Sequence, residues 1–149
     1  IVQIPETEGA FISVNPQVFD SHAPKAGVQA IIAHELAHIL YFKQKNRLQN
    51  LSLVRLVSTK FTARFERRTD LEAISRGYGA GLKEYRRWLF HQVPKEKSRR
   101  SNGIIYSPAE IDALLSNLQY RPELMNYWRK HVLRNLQEIF QSISRAATK

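Results

Sequence analysis

The stretch "IIAHELAHIL", residues 31–40, decides the fold of this chain. Apolar residues recur around it at helical spacing and predict a single helix from Lys25 to about Lys45. The apolar positions of this helix are Val28, Ile31, Ile32, Leu36, Ile39 and Leu40. Because the predicted helix is apolar nearly all round, we expect it to run through the centre of the domain.

Two histidines and a glutamate interrupt this apolar helix. His34 and His38 are four residues apart, so their side chains project from one face and can bind one metal ion. Glu35 is rotated by about 100° from His34, beside the metal, where it can act as a general base toward a water molecule. The alternative is a pair of hydrogen-bonded core histidines next to a salt-bridged glutamate.

A catalytic zinc site needs a third protein ligand. The chain has no cysteine, and Tyr41 and Gln44 stand where the pattern H-E-x-x-H-x-x-G-x-x-H requires glycine and histidine. Glu66 and Asp70 share one face of a predicted helix. We predict that Glu66 is the third ligand and that Asp70 accepts the N–H of a ligand histidine. The alternative is a solvated carboxylate face balanced by three arginines: Arg64, Arg67 and Arg68.

The rest of the chain predicts a mostly α (α+β) fold. Residues 10–14 have the pattern of a short strand, so we expect a small N-terminal β-sheet before the central helix. This strand is either an edge strand that binds extended peptide or a plain structural strand. Further helices are predicted over about 48–76 with a break near Ser58-Thr59, 80–91, 107–119 and 122–144. We interpret residues 1–149 as a single domain, with a catalytic portion at 10–90 and C-terminal helices at 107–145.

The charge of the chain is uneven. Its formal net charge is +10, yet residues 1–42 carry −3 and the remainder carries +13. This balance favours an acidic partner or an anionic surface, with an ordinary solvated basic surface as the alternative. No stretch has the length and apolar character of a transmembrane segment. Because the chain begins at Ile1, we expect a mature or trimmed fragment, with the cell envelope or secretion slightly favoured over the cytoplasm.

H-E-x-x-H followed by E-x-x-x-D on a separate helix resembles the gluzincin zinc metallopeptidases, most closely the HtpX-like and minigluzincin branch. The segments "FISVNPQVFD" and "ERRTDLEAISRGYG" resemble that branch too, so the resemblance covers about residues 10–90. It implies a zincin-like fold and one Zn²⁺ per chain, held by His34, His38 and Glu66. It also implies hydrolysis of a peptide or protein substrate by a zinc-activated water, with Glu35 as general base. The short gap from His38 to Glu66 also fits the ImmA-type regulatory peptidases.

The resemblance further implies a donor that stabilises the oxyanion of the reaction. The candidates are Tyr78, Tyr85, His91 and Tyr106, and for the aromatic residues the alternative is core packing. Two other functions stay open. One is a latent or regulatory zinc-binding module of the same fold, in which residues 107–149 cover the cleft. The other is a basic protein with a vestigial site that binds nucleic acid or the cell envelope.

Overall fold

The computed structural model of the chain describes residues 2–3, 11–44, 59–92 and 103–147. The fold is mostly helical, as predicted. Its elements are the strands β1 (Val2–Gln3) and β2 (Phe11–Ile12) and the helices α1 (Gln17–Asp20), α2 (Lys25–Gln44), α3 (Thr59–Ala73), α4 (Gly79–Gln92), α5 (Pro108–Leu118), α6 (Leu124–Lys130) and α7 (Leu136–Ala147). None of the helices within these ranges is long and apolar enough to cross a membrane.

The small N-terminal sheet expected around residues 10–14 is not confirmed. The described residues show only β1 paired antiparallel with β2, over two residues each, and residue 10 lies outside them. The chain leaves this pairing at Ser13 and turns into α1, because the Asn15 carbonyl accepts the N–H of Val18 at 3.0 Å. The Asn15-Pro16 turn therefore limits the strand before it can form part of a larger sheet.

Helix α2 packs against α3 and, over the largest contact, against α4. Glycines permit the close approach of α2 and α4, since a Cβ at Gly81 would collide with the carbonyl oxygen of Ala26. Ala30 lies fully buried in the same contact region. However, α2 is not enclosed on every side by the residues described, because Leu36 and Leu40 are 47% and 40% exposed. The expectation that α2 runs through the centre of the domain therefore holds for one face of the helix and not for the face that carries Leu36 and Leu40.

A kink at Gly77 separates α3 from α4. The φ angle of Gly77 is 91°, a left-handed value that glycine adopts without the strain imposed by a Cβ. The residues Ile74–Tyr78 form a π-type turn at the kink. The helices predicted over 48–76 and 80–91 are confirmed where the structure describes them. Residues 45–58, including the first residue of the predicted break at Ser58-Thr59, lie outside the described part.

Helix α5 begins with a capping box formed by Ser107 and Glu110. The Ser107 hydroxyl accepts the N–H of Glu110 at 3.3 Å, and the Glu110 carboxylate accepts the N–H of Ser107 at 2.8 Å. These reciprocal bonds satisfy backbone donors that the first turn of a helix leaves without partners. Pro108 occupies the first helical position, where its missing N–H costs nothing.

The single helix predicted over 122–144 is wrong, because α6 ends at Lys130 and α7 begins at Leu136. The side-chain oxygen of Asn135 accepts the N–H of Glu138 at 2.9 Å and caps the new helix. Between the two helices, the Leu133 carbonyl accepts hydrogen bonds from the Arg67 guanidinium and the Tyr106 hydroxyl, each at 3.0 Å. A carbonyl inside a helix is committed to the N–H four residues on, so the break makes Leu133 available to these donors.

One apolar core joins the helices from α2 to α7. Its buried members include Ala30, Leu71, Leu82, Ile111, Leu114, Leu124, Trp128, Leu133 and Ile139. Trp128 is the largest fully buried side chain, and its indole N–H donates to the Ser142 hydroxyl at 2.8 Å. The C-terminal helices thus share their core with α2, α3 and α4, which carry the predicted site.

Candidate metal centre

Helices α2 and α3 bring the predicted metal-site residues together. α2 contributes His34 and His38, and α3 contributes Glu66 and Asp70, each pair being four residues apart on one helix face. Both histidines are buried, Glu66 is partly buried, and Asp70 is completely inaccessible to solvent. Because Glu66 is partly buried and Asp70 is fully buried, the two carboxylates do not form the solvated face that was the alternative interpretation.

Three donor atoms of this site converge on one point. The Nε2 atoms of His34 and His38 are 3.1 Å apart, and the Glu66 Oε2 atom lies 3.1 Å from the first and 3.4 Å from the second. Tetrahedral zinc binds nitrogen and oxygen at about 2.0–2.1 Å, which separates neighbouring ligand atoms by about 3.3 Å. The three atoms therefore have about the spacing of one face of a zinc tetrahedron.

Asp70 fixes the orientation of His34. Its Oδ1 atom accepts the Nδ1–H of His34 at 2.8 Å, which leaves the opposite ring nitrogen, Nε2, directed at the convergence point. The same oxygen accepts a guanidinium N–H of Arg86 at 3.0 Å, and Oδ2 accepts the backbone N–H of Tyr106 at 3.1 Å. Asp70, on α3, thus bonds to α2 through His34, to α4 through Arg86 and to the segment before α5 through the Tyr106 N–H. Sequence reasoning identified Asp70 but missed Arg86, which no local spacing connects with it.

Thr69 does the same for His38. The Nδ1–H of His38 donates to the Thr69 hydroxyl at 3.2 Å, and that hydroxyl donates to the carbonyl of Phe65 at 3.0 Å. This chain of donors leaves the His38 Nε2 atom as an acceptor toward the metal position. The His38 ring also packs on the Phe65 ring, with centroids 4.7 Å apart. Sequence reasoning missed Thr69, although its place three residues after Glu66, on the side of α3 that faces α2, is a signal that could have indicated it.

The charges of the site stabilise one another. Burial alone would lower the pKa of His34, but hydrogen bonds with Asp70 and Glu66 outweigh burial and raise this pKa to about 9. Burial also opposes the charge of Glu66, yet its hydrogen bonds with His34 and His38 hold its pKa well below the usual range. For Asp70, Arg86 and His34 together overcome the burial penalty and lower the pKa. A proton on the Nε2 atom of His34 and a metal ion would thus compete for the same position beside Glu66.

Glu35 follows His34 on α2 and is partly buried. Tyr85 on α4, one of the four oxyanion candidates, has a largely buried side chain that is affected by the charge of Glu35. Burial raises the pKa of Tyr85, Arg86 opposes that rise, and the negative charge of Glu35 adds to it. The Tyr85 hydroxyl therefore keeps its proton at neutral pH, and the negative charge of Glu35 favours this protonated form.

The other three oxyanion candidates have different surroundings. Tyr106 is fully buried, its hydroxyl donates to the Leu133 carbonyl, and the Arg67 guanidinium lies 4.9 Å from the centre of its ring. Tyr106 reaches the site only through its backbone N–H. Tyr78 is exposed beside the kink, and His91 is exposed next to the last residue of α4. In the part of the chain that the structure describes, neither of these two hydrogen-bonds to a metal-site side chain.

Comparison of this chain with known proteins gives no significant match to a protein-family model, to a curated protein or to a solved structure.

Proposed function

We propose that this protein is a zinc-dependent endopeptidase that hydrolyses peptide bonds of a peptide or protein substrate. The observation that carries the proposal is the convergence of His34 Nε2, His38 Nε2 and Glu66 Oε2 at 3.1–3.4 Å. Each histidine also has its other ring nitrogen engaged by a neighbouring side chain. This arrangement supports a metal site better than it supports a pair of ordinary core histidines, whose ring nitrogens need not converge on a carboxylate.

The residues around the convergence point supply the other requirements of peptide hydrolysis. A zinc ion held by the three side chains would polarise the scissile carbonyl and lower the pKa of a water molecule. Glu35, beside His34 and partly exposed, is placed to take the proton of that water and to pass it to the leaving amine. Asp70 and Thr69 keep both histidines in the tautomer that directs Nε2 at the metal.

Tyr85 is the oxyanion donor that the structure supports best among the four candidates. Its phenol stays protonated because burial and the nearby Glu35 charge raise its pKa. Its backbone is anchored against Gly27 of α2, since a Cβ at Gly27 would lie 3.0–3.2 Å from Tyr85 atoms. In this proposal the protonated hydroxyl of Tyr85 donates a hydrogen bond to the negative charge that develops on the substrate oxygen.

The test is metal analysis combined with a peptidase assay on purified protein. We expect one zinc per chain, and cleavage of casein or a mixed fluorogenic peptide set. Glu35→Gln should retain zinc and lose about 10²–10⁴-fold in activity, the usual contribution of a general base. Glu84→Gln, which alters an exposed glutamate of α4, is the matched control and should keep full activity.

Three outcomes would contradict different parts of the proposal. A metal-free parent protein would show that His34 and His38 are hydrogen-bonded core histidines, and the enzyme interpretation would be abandoned. Full zinc occupancy in Glu66→Ala would leave the metal in place but remove Glu66 from its ligands. Zinc binding with no hydrolysis of any substrate would favour a regulatory module over an endopeptidase.

A further inference from the structure

A cavity of about 800 Å³ lies between α3, α7 and the segment that follows α6. Its volume falls within the range of small-molecule binding sites. Helix α3 contributes Lys60, Ala63, Arg64 and Arg67 to its lining, and none of His34, His38, Glu66 and Asp70 is among the described residues that line it. The cavity is therefore a second site, distinct from the candidate metal centre.

Positive charge dominates the walls of this cavity. The cationic residues that line it are Lys60, Arg64, Arg67, Lys130, Arg134 and Arg145. Glu138 is the one acidic residue among the described lining residues, and it is paired with Arg134 at 2.6 Å. No carboxylate of the described residues lies within ion-pair distance of Lys60, Arg64, Lys130 or Arg145. This excess of cations creates a strong attraction for an anion.

Arg67 adds a buried positive charge to the wall of the cavity. Its side chain is 97% buried and lines the cavity. One guanidinium nitrogen donates to the Leu133 carbonyl at 3.0 Å and lies 3.5 Å from the Glu110 carboxylate, but the buried Nε–H has no hydrogen-bond partner among the described residues. A buried donor without a partner costs free energy, and such groups are rare in folded proteins. The Nε–H itself is closed off from the cavity, but an anion in the cavity would bring a negative charge near the guanidinium and offset part of the cost of burying it.

Besides the charged residues and the polar His131, Gln141 and Ser142, the cavity has an apolar part of its wall. This part is formed by Ala63, Ile104, Tyr127, Val132 and Leu133. A bare inorganic ion would leave this apolar wall in contact with water, whereas a ligand with an apolar body would cover it. We propose that the cavity binds an individual amphiphilic anion, with a phosphate or carboxylate head on the cationic side and an apolar body against the apolar wall. The proposal is independent of the metal centre and of peptidase activity.

The experiment measures binding of octyl phosphate to the full chain by isothermal titration calorimetry, at concentrations below micelle formation. Inorganic phosphate supplies the head alone, and octyl glucoside supplies the same tail on a neutral head. We expect octyl phosphate to bind at least about tenfold more tightly than either control, because it alone satisfies both walls. Equal binding of octyl phosphate and octyl glucoside would overturn the role of the cations.

Variants locate the binding in the cavity. Arg64→Glu combined with Arg145→Glu reverses two exposed lining charges and should weaken octyl phosphate binding by at least about tenfold. The control, Lys25→Glu with Arg87→Glu, makes the same net charge change at two exposed positions outside the cavity and should leave binding unchanged. An equal loss in both double variants would mean nonspecific attraction to a basic protein and would overturn the proposal.

A third variant tests whether the ligand occupies the volume of the cavity, without changing its charge. Ala63→Trp fills the apolar side of the cavity from α3 while leaving every lysine and arginine in place. It should abolish the advantage of octyl phosphate over inorganic phosphate, with the melting temperature measured in parallel to verify folding. Unchanged octyl phosphate binding in this folded variant would place the ligand elsewhere. Binding only to vesicles of phosphatidic acid, with none to free octyl phosphate, would also overturn the assignment.

Discussion

The region around the candidate metal centre and the region formed by the C-terminal helices are stabilised by different interactions. In the first, charged and polar side chains are buried together: His34, His38, Thr69, Asp70 and Arg86. In the second, the fully buried side chains are large and apolar, among them Ile111, Leu114, Trp128 and Ile139. Burying apolar surface stabilises a fold directly, whereas burying charges is costly unless each is paired.

The difference shows that one region positions the candidate ligands and the other stabilises the fold. The polar region holds three donor atoms at a fixed spacing, which hydrophobic residues of the same volume cannot do. Its net contribution to stability is small, because the desolvation of Asp70 and Arg86 opposes their attraction. The apolar region supplies free energy that offsets this cost, and it reaches the site through the Tyr106 N–H that donates to Asp70. Each prediction below perturbs either the polar region or the apolar region.

The largest effect is expected from removal of residues 107–149. Ile111, Leu114 and Trp128 belong to the same core as Leu71 and Leu82, so truncation exposes the apolar faces of α3 and α4. We expect the truncated chain to show no cooperative thermal unfolding transition by circular dichroism. We also expect it to lose the binding of one zinc per chain. A folded truncation product with increased peptidase activity would instead support the alternative of a latent enzyme covered by its C-terminal helices.

Asp70→Ala is expected to destabilise the metal-free protein by about 3–5 kcal/mol, because it leaves the buried Arg86 without its carboxylate partner. Denaturant unfolding measures this loss, and chelator competition measures the metal affinity that falls with it. Leu114→Ala should lower stability by a similar amount, about 2–5 kcal/mol, yet leave the metal affinity of the folded protein intact. Asp112→Ala, at an exposed carboxylate, is the control and should change neither property.

A metal affinity lost equally in Asp70→Ala and Leu114→Ala would remove the distinction between the two regions. The site would then depend on global stability alone.

Much of the metal centre could be predicted from the sequence because its ligands lie four residues apart on helices. That spacing places His34 with His38, and Glu66 with Asp70, whatever the rest of the chain does. Arg86 and the Tyr106 N–H reach Asp70 across 16 and 36 residues. Such contacts arise from the packing of α4 and of the segment before α5, and no local period in the sequence indicates them.

The fold could be predicted where apolar periodicity and caps agree, and not where they conflict. Leu124, Trp128, Val132 and Leu136 continue one helical stripe, which is why a single helix was predicted there. The Asn135 cap and the two hydrogen bonds to the Leu133 carbonyl stabilise a break instead. At the N-terminus, residues 10–14 predicted a strand that ends at the Asn15-Pro16 turn, whereas the pairing in the described residues covers only Phe11 and Ile12.

The pH dependence of zinc affinity tests the polar region without a mutation. In the metal-free protein the pKa of His34 is raised from 6.5 to about 9, so zinc must displace a proton at neutral pH. Affinity should therefore rise about tenfold per pH unit, or about a hundredfold from pH 6.5 to 8.5, as measured with a competing chelator. An affinity that is flat over this range would show that no proton is held at His34.

The stability of the metal-free protein should respond to pH with the opposite sign. The raised pKa of His34 contributes stability that is fully present below pH 6.5 and is lost as the pH rises through about 9. Urea unfolding between pH 6.5 and 9 is the measurement, and zinc-loaded protein is the comparison. Loss of stability with rising pH in both samples would show that metal and proton do not share this site.

The smallest effect is expected from Thr69→Val, which keeps the shape of the side chain and removes its hydroxyl. Without that acceptor the His38 Nδ1–H has no partner at 3.2 Å, and the ring is free to adopt the wrong tautomer. We expect zinc affinity to fall by about 10–100-fold, the usual effect of losing such an orienting group. Thr69→Ser retains the hydroxyl and should recover most of the affinity. Parental affinity in Thr69→Val would mean that packing on Phe65 alone orients His38, and the orientation of this ligand would then depend on apolar contact, as in the C-terminal region.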